Sequence, residues 1–465
     1  MTTADITQLP DGSCFWQLPH ETDLLAIRET ATSQFPYLLQ TARAPLTQPG
    51  YDLLLGLPGQ TLIKQFDGSL WLDRECLSGP RGFLQQLDSL FAQEAVSPQA
   101  AFETLPFIGG WFVFLGYEIA AEVEPVLTLP ATPWQEPIAI ATRCHGAVIR
   151  RHHDGQVMAF AEAGYQQAMR EALDQAASQP LPPARAVRIA ELKEDPPEQY
   201  RQAVKRIRDY IRDGDVFQVN ISRRWQMDLA DQSSATDVYR SLCRSNPAPF
   251  AAYCQLGPHH QVLSSSPERL LQRHGDRVET RPIAGTRPRG SNQDLDQKLS
   301  RELMINPKER AEHVMLIDLE RNDLGRICEP GSVEVNEFMC IESYAHVHHI
   351  VSNVRGRLRA DVTPGQALAA VFPGGTITGC PKVRCMEIIG ELEQQGRGVY
   401  TGSLGYLGRD GRIDSNILIR SMVAHDGQLA FRTGGGIVYD SRPDPELAET
   451  RAKARGLLRA LGLAD

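Results

Sequence analysis

The chain has 465 residues, 42% of them hydrophobic, and carries 48 Lys and Arg against 57 Asp and Glu for a formal charge of −9. That apolar content can fill the cores of about two or three domains, and the mixed charges exclude both a disordered chain and a basic, non-specific nucleic-acid binder. No apolar run approaches the ~18 to 20 residues that span a bilayer, and the amino-terminal stretch lacks a basic segment followed by an apolar one, so a cytosolic protein without membrane or nucleic-acid partners is expected. The 9 cysteines are scattered, with no C-x-x-C pair, and read as reduced thiols rather than a zinc or iron–sulfur site.

The first region alternates short apolar runs with turns: YDLLLGL (51–57), LIKQFDGSLWL (62–72), GGWFVFLGYEI (109–119) and IAIAT (138–142). These predict mostly strands, followed by a helical stretch near 160–177. Residues 180–199, rich in proline and charge, read as a connection that divides a region 1–190 from a region 191–465. Beyond it Tyr200, Val204, Ile207 and Ile211 recur at helical spacing before Gly214, which predicts a helix over 197–213. In VFQVNISRRW (216–225), Phe217, Val219 and Ile221 alternate with Gln218, Asn220 and Ser222. A strand follows from that period of two, and its polar face reads more simply as solvated than as a cavity wall. Pro307 opens a helix to about Leu319, and Asp444-Pro445 supplies an N-cap and first residue for a last helix to about Leu461. Between them lie strand-like runs with tight glycine turns, VHHIVSNVRG, GSLGYL, NILIRSMVA and LAFRTGGGIV, so the fold class is α+β with antiparallel hairpins.

Some of these elements place reactive groups together. At 100° per residue Glu446, Glu449 and Lys453 fall within about 60° of one another on the last helix, shortly after Gly434, Gly435 and Gly436. Two carboxylates and an ammonium beside free backbone amides can hold a divalent cation and an anion together, although an i,i+4 surface pair and a tight hairpin are the plainer account. Glu309 and Glu312, with His313 beside them, form a second acidic pair of the kind that suits a hard cation, or else a salt-laced helix. PIAGTRPRG (282–290), FPGGTITGCPK (372–382) and RTGGGIVYD (432–440) fit neither a Walker loop nor G-x-G-x-x-G, so no nucleotide site is predicted. In SYAHVHHIVS, His346 and His348 share one strand face and His349 takes the other, one face exposed and the other buried; a single functional histidine is preferred to a metal trio.

Taken together, GDVFQVNISRR, SSSPERLL, TRPIAGTRPRG, ERAEHVMLIDLERNDLGRIC, VHHIVS, FPGGTITGCPKVRCMEIIGELE, YTGSLGYLG, ILIRS and GGGIVYDSRPDPELAET resemble one family, the chorismate-utilising enzymes. These comprise component I of anthranilate synthase and of aminodeoxychorismate synthase, with isochorismate and salicylate synthases as cousins. The resemblance implies the anthranilate synthase component I fold, large antiparallel sheets packed as a sandwich with flanking helices. On that fold 1–190 is a β-rich region that in the family can carry a tryptophan pocket, and 191–465 is the catalytic domain. It implies Mg²⁺ held by Glu312 and Glu449, with Glu309 and Glu446 as neighbours acting through water, bridging to the ring carboxylate of chorismate. Gly434, Gly435, Gly436, Tyr400, Arg420 and Lys453 are the implied grip on the substrate carboxylates. Glu268 is the implied general acid/base, which needs a raised pKa; His349 and Thr376 lie near the leaving hydroxyl and Thr286 lines the same pocket.

Gln218 stands where isochorismate and salicylate synthases carry a lysine that activates water. A neutral amide is a poor base, so ammonia is the expected nucleophile; the chain has no G-x-C-x-G elbow, so the ammonia is expected from a separate glutamine amidotransferase subunit or from solution. FPGGTITG, EIIGELE, YTGSLGYL and QVN, with an amino-terminal PYLLQT that lacks the family's L-L-E-S string, resemble aminodeoxychorismate synthase. That implies amination to 4-amino-4-deoxychorismate, the precursor of 4-aminobenzoate and folate. Ala284, where that synthase typically has a lysine, is as in anthranilate synthase, and tryptophan-pathway amination at C2 is the alternative. A non-catalytic sensor of chorismate or an amino acid is a third reading, opposed by the intact set of Glu268, Glu312, His349 and Glu449.

Overall fold

The computed structural model describes residues 6–41, 50–230, 233–344 and 347–463. Among them the strands join into one hydrogen-bonded network of 23, mixed with helices, so the chain is α+β as expected. The pairings are antiparallel, consistent with tight turns between successive strands. Strands from the two halves of the sequence pair directly: Tyr37–Gln40 with Phe250–Gln255, and Gly110–Leu115 with Ser403–Gly408. Residue 190 itself lies in a strand, Ile189–Glu194, that pairs with β1 (Gln218–Leu229). Among the described residues no helix is long and apolar enough to cross a membrane, and the cysteines are free.

The predicted strands of the first region are present, with Tyr51–Lys64 and Ala139–Arg151 forming a long central pair. The same region also folds a helix, Phe83–Glu94, whose Phe83, Leu84, Leu87 and Leu90 are buried at helical spacing and were not singled out from the sequence. The helix expected near 160–177 spans Gln166–Ser178. Helix α1 (Pro197–Arg212) follows the predicted bounds, with Pro197 in its first turn and Gly214 left-handed just beyond its end.

Further along, three expectations change. β1 is not solvated on its polar face: Gln218, Asn220 and Ser222 are buried along with Val219 and Ile221, because side chains of neighbouring elements cover them. Ser222 is held by Glu393 of α3 (Lys382–Glu393), and Gln218 lies against Gly436 of β4 (Gln428–Ile437). Phe217, placed with the inward residues, is 70% exposed because β1 begins only at Gln218. The histidine strand, β3 (Val347–Arg357), buries both His348 and His349 rather than one. His348 is covered by the helix Gln293–Ile305, whose Asp296 carboxylate lies 3.0 Å from its Nε2. His346 lies outside the described residues.

Helix α2 opens at Pro307 as predicted but runs six residues past Leu319, to Gly325. The last helix, α4 (Pro443–Ala460), starts two residues earlier than expected: Pro443 and not Pro445 takes its first position, after Arg442, and Asp444 and Glu446 supply its acidic first turn. NILIRSMVA divides into Ile413–Asn416 and Ser421–His425, with Arg420 in a left-handed conformation between them.

Candidate active site

The glycine stretch Gly434-Gly435-Gly436 lies in β4 opposite Ser222, Ile221 and Asn220 of β1. Asn220 and Ser222 direct their N–H groups away from β4, to Thr378 O and to Glu393 Oε1, each at 2.8 Å. By antiparallel alternation the N–H groups of Gly434 and Gly436 also point away from β1, toward an edge with no further strand among the described residues. Helix α4 covers that edge, and Lys453 Nζ donates to Gly434 O at 3.0 Å. A Cβ at Gly436 would sit 2.3 Å from Gln218 Nε2, so a side chain there would displace the Gln218 amide from its present place. The corresponding point at Gly435 lies 3.7 Å from carboxylate oxygens of Glu446 and Glu449 and 3.8 Å from Lys453 Nζ.

Lys453 pairs with Glu449 at 2.8 Å. Desolvation pulls its pKa down, but Glu449, Tyr400 and Glu312 outweigh that and hold it above the ordinary value, so it is a cation at the partly open edge of the site. Glu312 of α2 and Glu449 of α4 therefore act on the same ammonium, although some 137 positions separate them (449 minus 312). Glu309, one turn earlier on α2, is engaged by Arg287 at 3.1 Å and lies over Gly285, whose left-handed backbone forms a bulge in β2 (Ile283–Pro288). Glu446 is buried on the first turn of α4.

Glu268 is 3% exposed and burial pushes its carboxyl up to about 8. The Thr376 hydroxyl, the Ile283 N–H (3.4 Å from Oε1) and Arg420 draw it down only partly, and the Glu320 carboxylate adds to the rise. Arg420 is half-buried and close enough to act on both Glu268 and His349. His349 is driven down to about 3, first by burial and then by Arg420, so its imidazole is neutral at physiological pH. Its Nδ1 lies 3.0 Å from Thr286 Oγ1 and 3.3 Å from Gly285 O; donation to that carbonyl leaves Nε2 as an acceptor. Ala284 is buried opposite Ile350.

Several buried polar atoms here lack a partner among the described residues: Gln218 Oε1, Asn220 Oδ1, His349 Nε2 and Tyr200 OH. Leaving such an atom unsatisfied costs about 1–3 kcal/mol, so a cluster of them marks a place built for a polar ligand. Tyr200, on α1, is an addition to the residues singled out from the sequence. Its phenol is held well above the usual range by burial and by Glu446, Glu449 and Tyr400. Its helical spacing marked it only as core.

The arrangement suits an anion with two acidic ends. Lys453, Arg420 and the outward amides of Gly434 and Gly436 are donors, and Glu268 is a carboxylic acid at neutral pH. Among the described residues no three His, Cys, Asp or Glu side chains form a ready-made metal cluster. The carboxylates that gather about Lys453 and Gly435 nonetheless fit Mg²⁺, which takes only one or two of them and completes its shell with water and substrate oxygens. A cavity of about 360 Å³ is lined by Gln40, Tyr51, Phe250, Pro267, Arg269 and Arg281 among others, and not by Glu268 itself.

Comparison with known proteins bears on this site. Residues 65–459 match the family described as chorismate binding enzyme. Aminodeoxychorismate synthase component 1 of Bacillus subtilis (strain 168) is 51% identical over 266 residues, 57% of this chain and 56% of that protein. Anthranilate synthase component 1 of Pseudomonas aeruginosa is 36% identical over 470 residues, covering 96% of this chain and 94% of the relative. The crystal structure of anthranilate synthase component I from Streptococcus pneumoniae TIGR4 superposes with a TM-score of 0.78 at 30% identity, over 89% of this chain and 93% of that one.

Proposed function

The chain belongs to the chorismate binding enzyme family, a chorismate-utilising enzyme of the anthranilate and aminodeoxychorismate synthase component I type, and on that premise we propose that it aminates chorismate with ammonia to 4-amino-4-deoxychorismate. Glu268 carries this reading, a buried carboxyl protonated up to about pH 8, with the neutral amide of Gln218 rather than a base on β1. Arg420, Lys453, Tyr400 and the amides of Gly434 and Gly436 hold the two carboxylates of the dianion. Glu268 then gives its proton to the C4 hydroxyl, which leaves as water. Thr376 and neutral His349 orient that leaving group, and Thr286 fixes the His349 ring through the 3.0 Å contact. Ammonia forms the new C–N bond and yields a proton, returning Glu268 to its acid form. Glu312 and Glu449, with Glu309 and Glu446 beside them, would hold Mg²⁺, which when bound would withdraw electrons from the ring through its carboxylate. Ammonia comes from a glutamine amidotransferase subunit, or from solution in its absence.

FPGGTITG, EIIGELE and YTGSLGYL, which resemble aminodeoxychorismate synthase, support entry of nitrogen at C4. Ala284 favours a second reading, anthranilate synthase component I, because a methyl group cannot form the amine adduct open to a lysine there, so that C4 amination by this chain requires direct displacement by ammonia, whereas direct addition at C2 needs no such amine in any case. Incubation of the chain with chorismate, ammonium and Mg²⁺, with products resolved by mass spectrometry, separates the two. Formation of 4-aminobenzoate only after an aminodeoxychorismate lyase is added supports the first. Anthranilate formed without any lyase refutes it.

A further inference from the structure

Arg397 lies in the segment after α3, and its side chain is 1% exposed. Its guanidinium directs all its N–H groups to protein acceptors. Nε and Nη2 bind the two oxygens of Glu393 at 3.1 and 2.7 Å, Nη2 also binds Asn220 O at 2.8 Å, and Nη1 reaches Ile377 O at 3.1 Å and Thr401 Oγ1 at 3.4 Å. The guanidinium carbon lies 5.5 Å from the Tyr400 ring centre and 5.0 Å from that of Tyr117. Glu393, equally buried, also takes Arg432 Nη2 at 2.7 Å and the Ser222 N–H and hydroxyl at 2.8 and 2.7 Å. The Arg397 backbone N–H is fixed in turn by buried Glu118 at 2.8 Å.

Three of the Arg397 acceptors neighbour a site residue in sequence. Ile377 follows Thr376, Thr401 follows Tyr400, and Asn220 stands two residues after Gln218 on β1. One planar group thus spans the leaving-group side, the carboxylate grip and the nucleophile side of the site. Buried ion clusters are commonly no more stabilising than apolar packing of the same volume, so stability alone does not account for this one. We propose that Arg397, clamped by Glu393, is a positioning residue that sets the distances between Thr376, Tyr400 and Gln218. The assignment rests on the chorismate-aminating reading above for its chemical consequence, but not for its geometry.

Arg397→Lys keeps the charge and loses the planar fork, so it tests position and not charge. The expected result is a kcat at least 30-fold lower with the KM for chorismate within about threefold, since misplacement of reacting groups weakens turnover far more than binding. Glu393→Gln should give the same split, and both variants stay informative if Arg397→Ala fails to fold. Hydrogen–deuterium exchange supplies a readout independent of activity: exchange in Arg397→Lys should rise together at 218–222, 375–378 and 399–402 while 51–64 stays unchanged. A kcat within threefold of the unaltered chain overturns the proposal, as does an effect on KM alone, or exchange that rises across the whole chain or at one segment only. A chain without chorismate turnover but with that three-segment exchange pattern would count against the proposed reaction and leave the positioning role standing.

Discussion

Replacing Glu268 with glutamine keeps its size and removes both its acidity and its capacity to ionise. The folded carboxyl titrates at about 8 against 4.5 for an ordinary glutamate, so between those values the folded state binds a proton that the unfolded chain has lost. Folding stability therefore declines as pH rises from about 4.5 through about 8, and is fully retained below that window. At ~1.4 kcal/mol per unit the penalty at pH 8 is about 4 kcal/mol. Glutamine carries none of it, so E268Q should be more stable than the unaltered chain at pH 8 and little changed at pH 5, while turnover falls about 10²–10⁴-fold for loss of a general acid. Thermal melts at the two pH values test the first half. The second is read from kcat/KM for chorismate over pH 6–9.5 at constant free ammonia, which should decline above about pH 8 in the unaltered chain as the acid form is depleted. Turnover in E268Q within threefold of the unaltered chain, or melts that do not diverge at pH 8, would refute the assignment of a buried, proton-donating carboxyl.

Further predictions concern the rest of the site. His349, neutral above about pH 3, should leave no inflection of its own in kcat/KM between pH 6 and 7; an imidazole titrating there by nuclear magnetic resonance would contradict its burial. Glu449→Gln and Glu312→Gln should each raise the Mg²⁺ concentration for half-maximal activity at least tenfold and weaken Mg²⁺ binding by calorimetry in the presence of chorismate, whereas an unchanged titration removes them from the metal site. Gly436→Ala should lower kcat/KM more than tenfold, because its methyl group would fall 2.3 Å from Gln218 Nε2; normal kinetics would mean that Gln218 moves aside freely.

The site was legible in the sequence where its residues sat in recognisable strings, and hidden where tertiary packing assigned the role. Glu446, Glu449 and Lys453 share a helix face by arithmetic alone, and the structure places all three about Gly435. That Glu312 acts on the same lysine from a different helix could come only from resemblance, since no local period encodes a contact across that separation. The strand Gln218–Leu229 shows the limit of alternation: a period of two says that Gln218, Asn220 and Ser222 share a face, but not whether water or protein covers it. Tyr200 was missed because an aromatic residue at a core position of an amphipathic helix carries no mark of its orphaned hydroxyl. Arg397 escaped because its acceptors come from four separate stretches of the chain, two of them backbone carbonyls of Ile377 and Asn220 to which any sequence is indifferent.

The half-paired stretch of β4 has a consequence for solubility. Backbone groups left open for a small anion are equally open to another polypeptide, and a glycine run offers no side chains to keep one away. Helix α4 and the Lys453 contact to Gly434 O act as the guard over that template. A chain shortened at Arg442, before the guard begins, should associate through its bared strand and form sediment on standing, while the full chain stays dispersed.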